Sequence, residues 1–178
     1  MPIVPVYQGL YAWYSLLIDG IAITVPSTNR TSTVTTPSPT SSPAAPPPSP
    51  ANASAVVILD SGSSLMYLSD ATADFIASAF VPAGRIDPSS GLWTVRCDAR
   101  APRVGITIRG QTFWVSEIDL MNRSKGAVGS GGRSGECVLG VQRAGGGSLV
   151  LGDVWLKNVL VVFDIEAQEI RVAAREDY

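Results

Sequence analysis

The apolar residues of this chain fall in short clusters, with little sign of a long helical stripe. Ala55-Val56-Val57-Ile58-Leu59 is a continuous apolar run that ends at Asp60-Ser61-Gly62. Such a run predicts a fully buried strand emptying into a turn. Residues 13–24 alternate loosely around Asp19-Gly20, which predicts two strands joined at a tight turn. Further β-branched or aromatic segments lie at 93–97, 104–108 and 112–115, with Arg109-Gly110 as a hairpin turn between the last two. Segments 137–141, 148–151, 159–163 and 169–173 complete a set of regularly spaced strands. One helix is predicted over 71–80, where Ser69-Asp70 supplies N-cap chemistry and Phe75, Ile76 and Ala79 point to a core. Asp153 is expected to cap a single helical turn at Val154-Trp155-Leu156. The fold class is mostly β with one or two short helices, and no internal repeat is visible.

Composition breaks this pattern once. Of the 29 residues from Pro26 to Ser54, 21 are Pro, Ser or Thr, and Arg30 carries the only charge. Such a stretch buries too little apolar surface to offset its conformational entropy, so residues 26–54 are expected to be a disordered or polyproline-like insertion. It divides leading strands at 1–25 from the body at 55–178. Pro43 and Pro46 make a P-x-x-P match for a proline-binding module, against which a bland surface loop is the simpler expectation.

Charge and composition then narrow the chemistry. The 178 residues amount to one domain's worth of chain. Histidine is absent, which removes Ser-His-Asp and Cys-His nucleophile systems and most imidazole-dependent metal sites. Two cysteines cannot make a Cys-only zinc site, and no metal or other cofactor is expected. With 13 Lys+Arg against 15 Asp+Glu, the net charge of −2 offers no footprint for nucleic acid. The glycine-rich stretch 126–135 lacks a Gly-Lys-Ser/Thr ending, so it does not read as a phosphate cradle. Mean hydropathy is high at +0.23, yet the best candidate span, 10–25, is short for a membrane and carries Asp19 at its middle. The opening residues lack the basic and apolar regions of a signal peptide. Sequons at Asn29, Asn52 and Asn122 nevertheless suggest a secretory history. Cys97 and Cys137 either pair, closing a loop of about 40 residues worth on the order of 4 kcal/mol, or remain two buried thiols.

What survives is chemistry by carboxylates and hydroxyls. At Asp60-Ser61-Gly62-Ser63-Ser64 a carboxylate sits beside a turn-permitting glycine and hydroxyls able to donate to it. Donors to the ionised form hold a carboxylate's pKa down and fix its orientation. D-S-G alone is common in ordinary Asx turns. Its companions here are Leu149-Val150-Leu151-Gly152-Asp153-Val154-Trp155-Leu156, then Val159-Leu160-Val161-Val162-Phe163-Asp164 and Glu169-Ile170-Arg171-Val172-Ala173.

In this order the segments resemble the C-terminal lobe of the pepsin-like aspartic proteases of eukaryotic secreted type. The resemblance covers the chain after the insertion together with residues 13–24. It implies one lobe of a bilobal acid-protease fold, with Trp93-Thr94-Val95-Arg96-Cys97 and Cys137-Val138-Leu139-Gly140 as the cysteine-bearing strands. Asp60 then matches the lobe's catalytic aspartate. Ser61 matches the residue that helps lock two active-site loops together, Gly62 the turn glycine, and Ser63 the hydroxyl bound to the carboxylate. Leu151-Gly152 resembles the element that threads against the active-site loop. The implied reaction is peptide-bond hydrolysis by a water between two aspartates that share one proton, one acting as base and the other as acid, with neither histidine nor cofactor.

The chain departs from that pattern in having a single D-[ST]-G, with Asp19, Asp153 and Asp164 in other contexts. Three expectations follow. The partner aspartate comes from an N-terminal lobe outside this sequence, or two copies meet at Asp60 as in one-lobed retroviral-type proteases, or the lobe is inert and binds a protein or peptide along an exposed edge.

Overall fold

The computed structural model describes residues 13–26, 28, 30–34, 55–122 and 135–175. In chain order the elements are β1 (Ser15–Ile18), β2 (Gly20–Thr24), β3 (Thr31–Val34), β4 (Ala55–Leu59), β5 (Met66–Leu68), α1 (Asp70–Ser78), β6 (Arg85–Ile86), β7 (Trp93–Arg96), β8 (Arg103–Ile108) and β9 (Gln111–Val115). There follow α2 (Glu117–Leu120), β10 (Met121–Asn122), β11 (Glu136–Leu139), β12 (Val141–Arg143), β13 (Leu149–Leu151), α3 (Asp153–Leu156), β14 (Val159–Asp164) and β15 (Glu169–Ala174). No helix among the described residues is long and apolar enough to cross a membrane.

A five-stranded sheet in the order β1-β4-β13-β5-β12 and a four-stranded sheet in the order β3-β2-β8-β9 share one apolar core. Leu16, Ile18, Ile21, Ile23, Val57, Met66, Leu68, Val104 and Ile106 are fully buried in it. The short sheet β10-β11-β7-β6 carries the disulfide between Cys97 and Cys137, and β14 and β15 form a separate hairpin. Of the two alternatives for the cysteines, the structure has the bond.

Asp19-Gly20 is not a hairpin turn. β1 pairs with β4, placing Leu16 opposite Val57, whereas β2 pairs with β3 and β8. The dipeptide is where the chain crosses between sheets. Asp19 donates its N–H to Thr107 O at 2.8 Å, and its Oδ2 accepts the Gly110 N–H at 2.7 Å. One polar group is therefore spent on strand β8 and the other on the β8–β9 turn, where a hairpin would have turned them on β2.

The disorder expected over 26–54 does not hold at 31–34. Thr31–Val34 is an exposed edge strand on β2, with a 2.7 Å hydroxyl contact between Thr24 and Thr31. β-Branched residues favour a pleated edge even without burial. Val34 lies opposite Ile21 and Ala55 opposite Ile18. Residues 35–54, with Pro43 and Pro46, lie outside the described residues, as do Asn29, Asn52 and most of 126–135.

Helix α1 starts at its Ser69 cap, whose Oγ accepts the Thr72 N–H at 3.3 Å. Ile76 and Ala79 are buried, but Phe75 is on the outer face. The predicted strand 137–141 is two strands in different sheets, divided at Gly140. That residue donates to Leu120 O at 2.7 Å and accepts from Met66 at 2.9 Å, and a Cβ there would lie 2.8 Å from Asp119 O. Helix α2, which was not anticipated, begins at Ser116, whose Oγ accepts the Ile118 N–H.

The feature that positions everything downstream is β13. It runs parallel to β4, with Leu151 beside Leu59, and on its other side antiparallel to β5, with Val150 opposite Tyr67. It is therefore threaded between the two strands that flank Asp60-Ser61-Gly62. At its end, Gly152 passes against the loop so closely that a Cβ would lie 2.3 Å from Ser63 O and 2.4 Å from Leu65 O. Both obstructing atoms are backbone, so relief requires moving the loop. Gly152→Ala is expected to destabilise the fold by about 3 kcal/mol or more, within the range of severe overpacking, read as a lower midpoint in urea denaturation. A midpoint unchanged from the parent would contradict the threading.

Candidate active site

Strand β4 delivers Asp60 as the first residue beyond its buried run. The parallel ladder with β13 continues one step further, since the Asp60 N–H donates to Leu151 O at 3.1 Å. The backbone of Asp60 is thus fixed by the same hydrogen bonds that hold the sheet. Beyond it the chain turns back, with the Ser63 N–H donating to Asp60 O at 3.2 Å.

Both carboxylate oxygens of Asp60 are occupied. Oδ1 accepts the Gly62 N–H at 2.9 Å, and Oδ2 accepts the Ser63 hydroxyl at 2.6 Å. The Ser63 bond, then the Gly62 bond, hold the carboxyl below the usual aspartate range against a smaller opposing effect of burial. A Cβ at Gly62 would lie 3.1 Å from Asp60 Oδ1, so glycine gives the short loop its clearance.

Helix α3 holds the loop from behind. Asp153 is the first helical residue, Gly152 occupies the cap, and no side chain caps the helix, contrary to the capping role expected of Asp153. The reason is that the helix's first N–H groups already have partners: Asp153 donates to Ser63 O at 2.8 Å and Val154 to Ser64 O at 3.3 Å. Asp60, Gly62, Ser63, Leu151 and Gly152 therefore form one connected unit. Ser61 is exposed at the tip, and its hydroxyl has no partner among the described residues.

Among the described residues, no second carboxylate joins this unit. Asp19 is held by Gly110, and Asp164 accepts from Ala167 N and Arg171. Asp153 lies behind the loop at the head of α3. Among the described residues no cluster of His, Cys, Asp and Glu is arranged to hold a metal ion. Asn122 is the last residue of β10.

An apolar face adjoins the site, and the sequence did not single it out. Tyr14 accepts the Leu59 N–H on its carbonyl at 2.8 Å, one residue before Asp60, while its ring lies 4.7 Å from that of Phe163. Trp13 next to Tyr14, Leu17 on β1, Leu160 and Val162 on β14 and Ile165 beyond it are also exposed, Ile165 by 70% and Leu160 by 60%. The 159–163 run is a strand, as expected, and its apolar composition does not say which of its residues are covered.

The family model for eukaryotic aspartyl protease matches residues 16–175. A probable aspartic-type endopeptidase of Aspergillus fumigatus is 36% identical over 120 residues, which is 66% of this chain and 27% of that protein. Rhizopuspepsin-1 of Rhizopus niveus is 32% identical over 123 residues, covering 68% of this chain and 28% of its own length. The chain thus spans about a quarter of the length of these curated relatives. The crystal structure of an aspartic proteinase from Irpex lacteus superposes with a TM-score of 0.62 at 18% identity, over 98% of this chain and 46% of that one, a likeness of fold. With nearly all of its described residues inside the family match, this chain belongs to the eukaryotic aspartyl protease family.

Proposed function

We propose that the chain is the C-terminal lobe of an aspartic-type endopeptidase and that Asp60 is one of the two carboxylates that activate the hydrolytic water. The observation that carries this is the setting of Asp60: it is backbone-anchored and doubly hydrogen-bonded, with its pKa held below the usual aspartate range by those bonds, on a loop whose tip opens to solvent. A second aspartate brought against it from outside cannot also ionise fully, so the pair retains one proton. One carboxylate then takes a proton from the water as the other protonates the scissile carbonyl of a peptide or protein substrate. No cofactor enters this chemistry.

The partner that brings the second aspartate is the N-terminal lobe, docked over Trp13, Tyr14, Leu17 and the β14–β15 hairpin. An exposed apolar patch rooted one residue from Asp60 marks such an interface, and the unpartnered hydroxyl of Ser61 is placed to bond the opposing loop. A second copy of this chain is the alternative occupant, giving a symmetric pair of Asp60 residues. The disulfide and the sequons at Asn29, Asn52 and Asn122 favour a secreted or secretory-pathway protein carrying glycans.

The test is complementation. The chain alone is expected to leave a broad peptide pool uncut at acidic pH, and to cleave it once mixed with an N-terminal lobe bearing its own D-[ST]-G. Asp60→Asn should lower the complemented rate at least about a thousandfold, a loss in line with removing a reacting group. Robust cleavage by the monomeric chain, or survival of activity in Asp60→Asn, would overturn the proposal; cleavage only by a dimeric preparation of the chain would assign the second copy.

Ser63 sets the acidity of the site. Because the Asp60 pKa is lowered in the folded state, its contribution to stability is full above the unfolded aspartate value and fades as pH falls through the folded one. Ser63→Ala, which removes the largest cause of the lowering, should raise the Asp60 pKa in a carbon-detected NMR titration and bring acid unfolding to higher pH. An unchanged titration would show that Gly62 alone holds the carboxylate.

A further inference from the structure

We propose that a pocket of about 260 Å³ at one end of the four-stranded sheet binds a multiply charged oxyanion, a phosphate or sulfate group. It lies outside the Asp60 unit and does not depend on the proposed peptidase role. Thr24, Pro26, Arg100, Ala101, Arg103 and Glu117 line it.

The first support is that its arginines are unspent. Elsewhere, Arg85 pairs with Glu136, Arg96 with Asp98, Arg143 with Asp74 and Arg171 with Asp164. Arg100 and Arg103 have no carboxylate partner among the described residues, and neither does Arg30, which precedes Thr31 at the same end of the sheet. Glu117 is the single acid on the rim, and it bridges neither arginine. Two like-charged guanidiniums lining one pocket without a carboxylate partner favour an anion, and a dianion can accept their forked donors.

The second support is that the donors are pre-set. On β8, Arg103 and Gly105 share a face, and Gly105 stands opposite Trp114 of β9. A Cβ at Gly105 would lie 2.8 Å from the Trp114 ring, so glycine clears the space in which the indole lies across the strand. The Arg103 guanidinium stacks over that ring, 4.5 Å from its centroid. A stacked guanidinium keeps its edge donors free for a ligand. Arg103 is also directly opposite Thr24, whose hydroxyl meets that of Thr31. The backbone of Arg100 is clamped by reciprocal bonds with Val81 at 3.0 and 2.9 Å. A fixed backbone, a stacked partner and a threonine row limit the ordering cost of binding.

The experiment is a titration of the ¹⁵N-labelled chain with sodium phosphate, with sodium chloride at matched ionic strength as the comparison. The Trp114 indole N–H and the amides of Arg100, Ala101 and Arg103 are expected to shift saturably with phosphate and not with chloride. Arg100→Gln and Arg103→Gln, both at exposed side chains, should each weaken binding by at least about tenfold, the scale of losing a charge-assisted donor pair. Arg109→Gln, at the opposite end of the sheet, should leave it unchanged. A parallel titration with a phosphoserine peptide distinguishes the source: tighter binding than inorganic phosphate assigns the pocket to a phosphorylated segment, and equal binding to the free anion. Shifts that never saturate, that chloride reproduces, or that survive both pocket variants would overturn the proposal.

Discussion

The structure depends on one act of threading, the passage of Leu149–Leu151 between the strand that enters the Asp60 loop and the strand that leaves it. A loop at a sheet's end is ordinarily among the less restrained parts of a fold, because its backbone groups face water. Here the third strand takes the loop's first N–H, and the helix that follows it binds the carbonyls of Ser63 and Ser64. The carboxylate of Asp60 is therefore oriented by main-chain geometry, with Ser63 and Gly62 tuning what is already in place. The absence of a side chain at position 152 is the steric condition for all of it.

In the proposed peptidase, this rigidity would serve one of two carboxylates. Taken alone, Asp60 favours its ionised form more than an ordinary aspartate does, since both its oxygens accept hydrogen bonds. The retained proton of an acid-protease pair is a property of two carboxylates together. Under the proposed role, the exposed Tyr14 and Phe163 tie that requirement to packing, since Tyr14 is bonded to Leu59, the residue preceding Asp60. Assembly and activation would then be one event.

The strands and the Asp60 loop were legible because their signals are local. An apolar run ending in D-S-G, the Arg109-Gly110 turn and the Ser69 cap each describe a few consecutive residues, and each was recovered with small shifts of boundary. Pairing was not legible. Asp19-Gly20 has hairpin chemistry, yet its polar groups are claimed by a turn some ninety residues later, which no local pattern records. Asp153 likewise has the identity of a cap but yields to carbonyls from the Ser63-Ser64 segment. Phe75 and the outer residues of β14 show the converse limit, since hydropathy marks what should be covered without saying by what.

The crossover at Asp19-Gly20 has one more effect. Ile18 on one side of it neighbours Ala55, and Ile21 on the other neighbours Val34, so the two stems of the proline-rich segment stand at most roughly 20 Å apart. Closing a longer excursion between nearby stems costs only about 0.6 kcal/mol per doubling of its length. The scaffold consequently exerts almost no selection on how many residues are spliced in there, and that junction is where a lineage, or an engineer, can lengthen, shorten or decorate the chain while the strands around Asp60 stay in register.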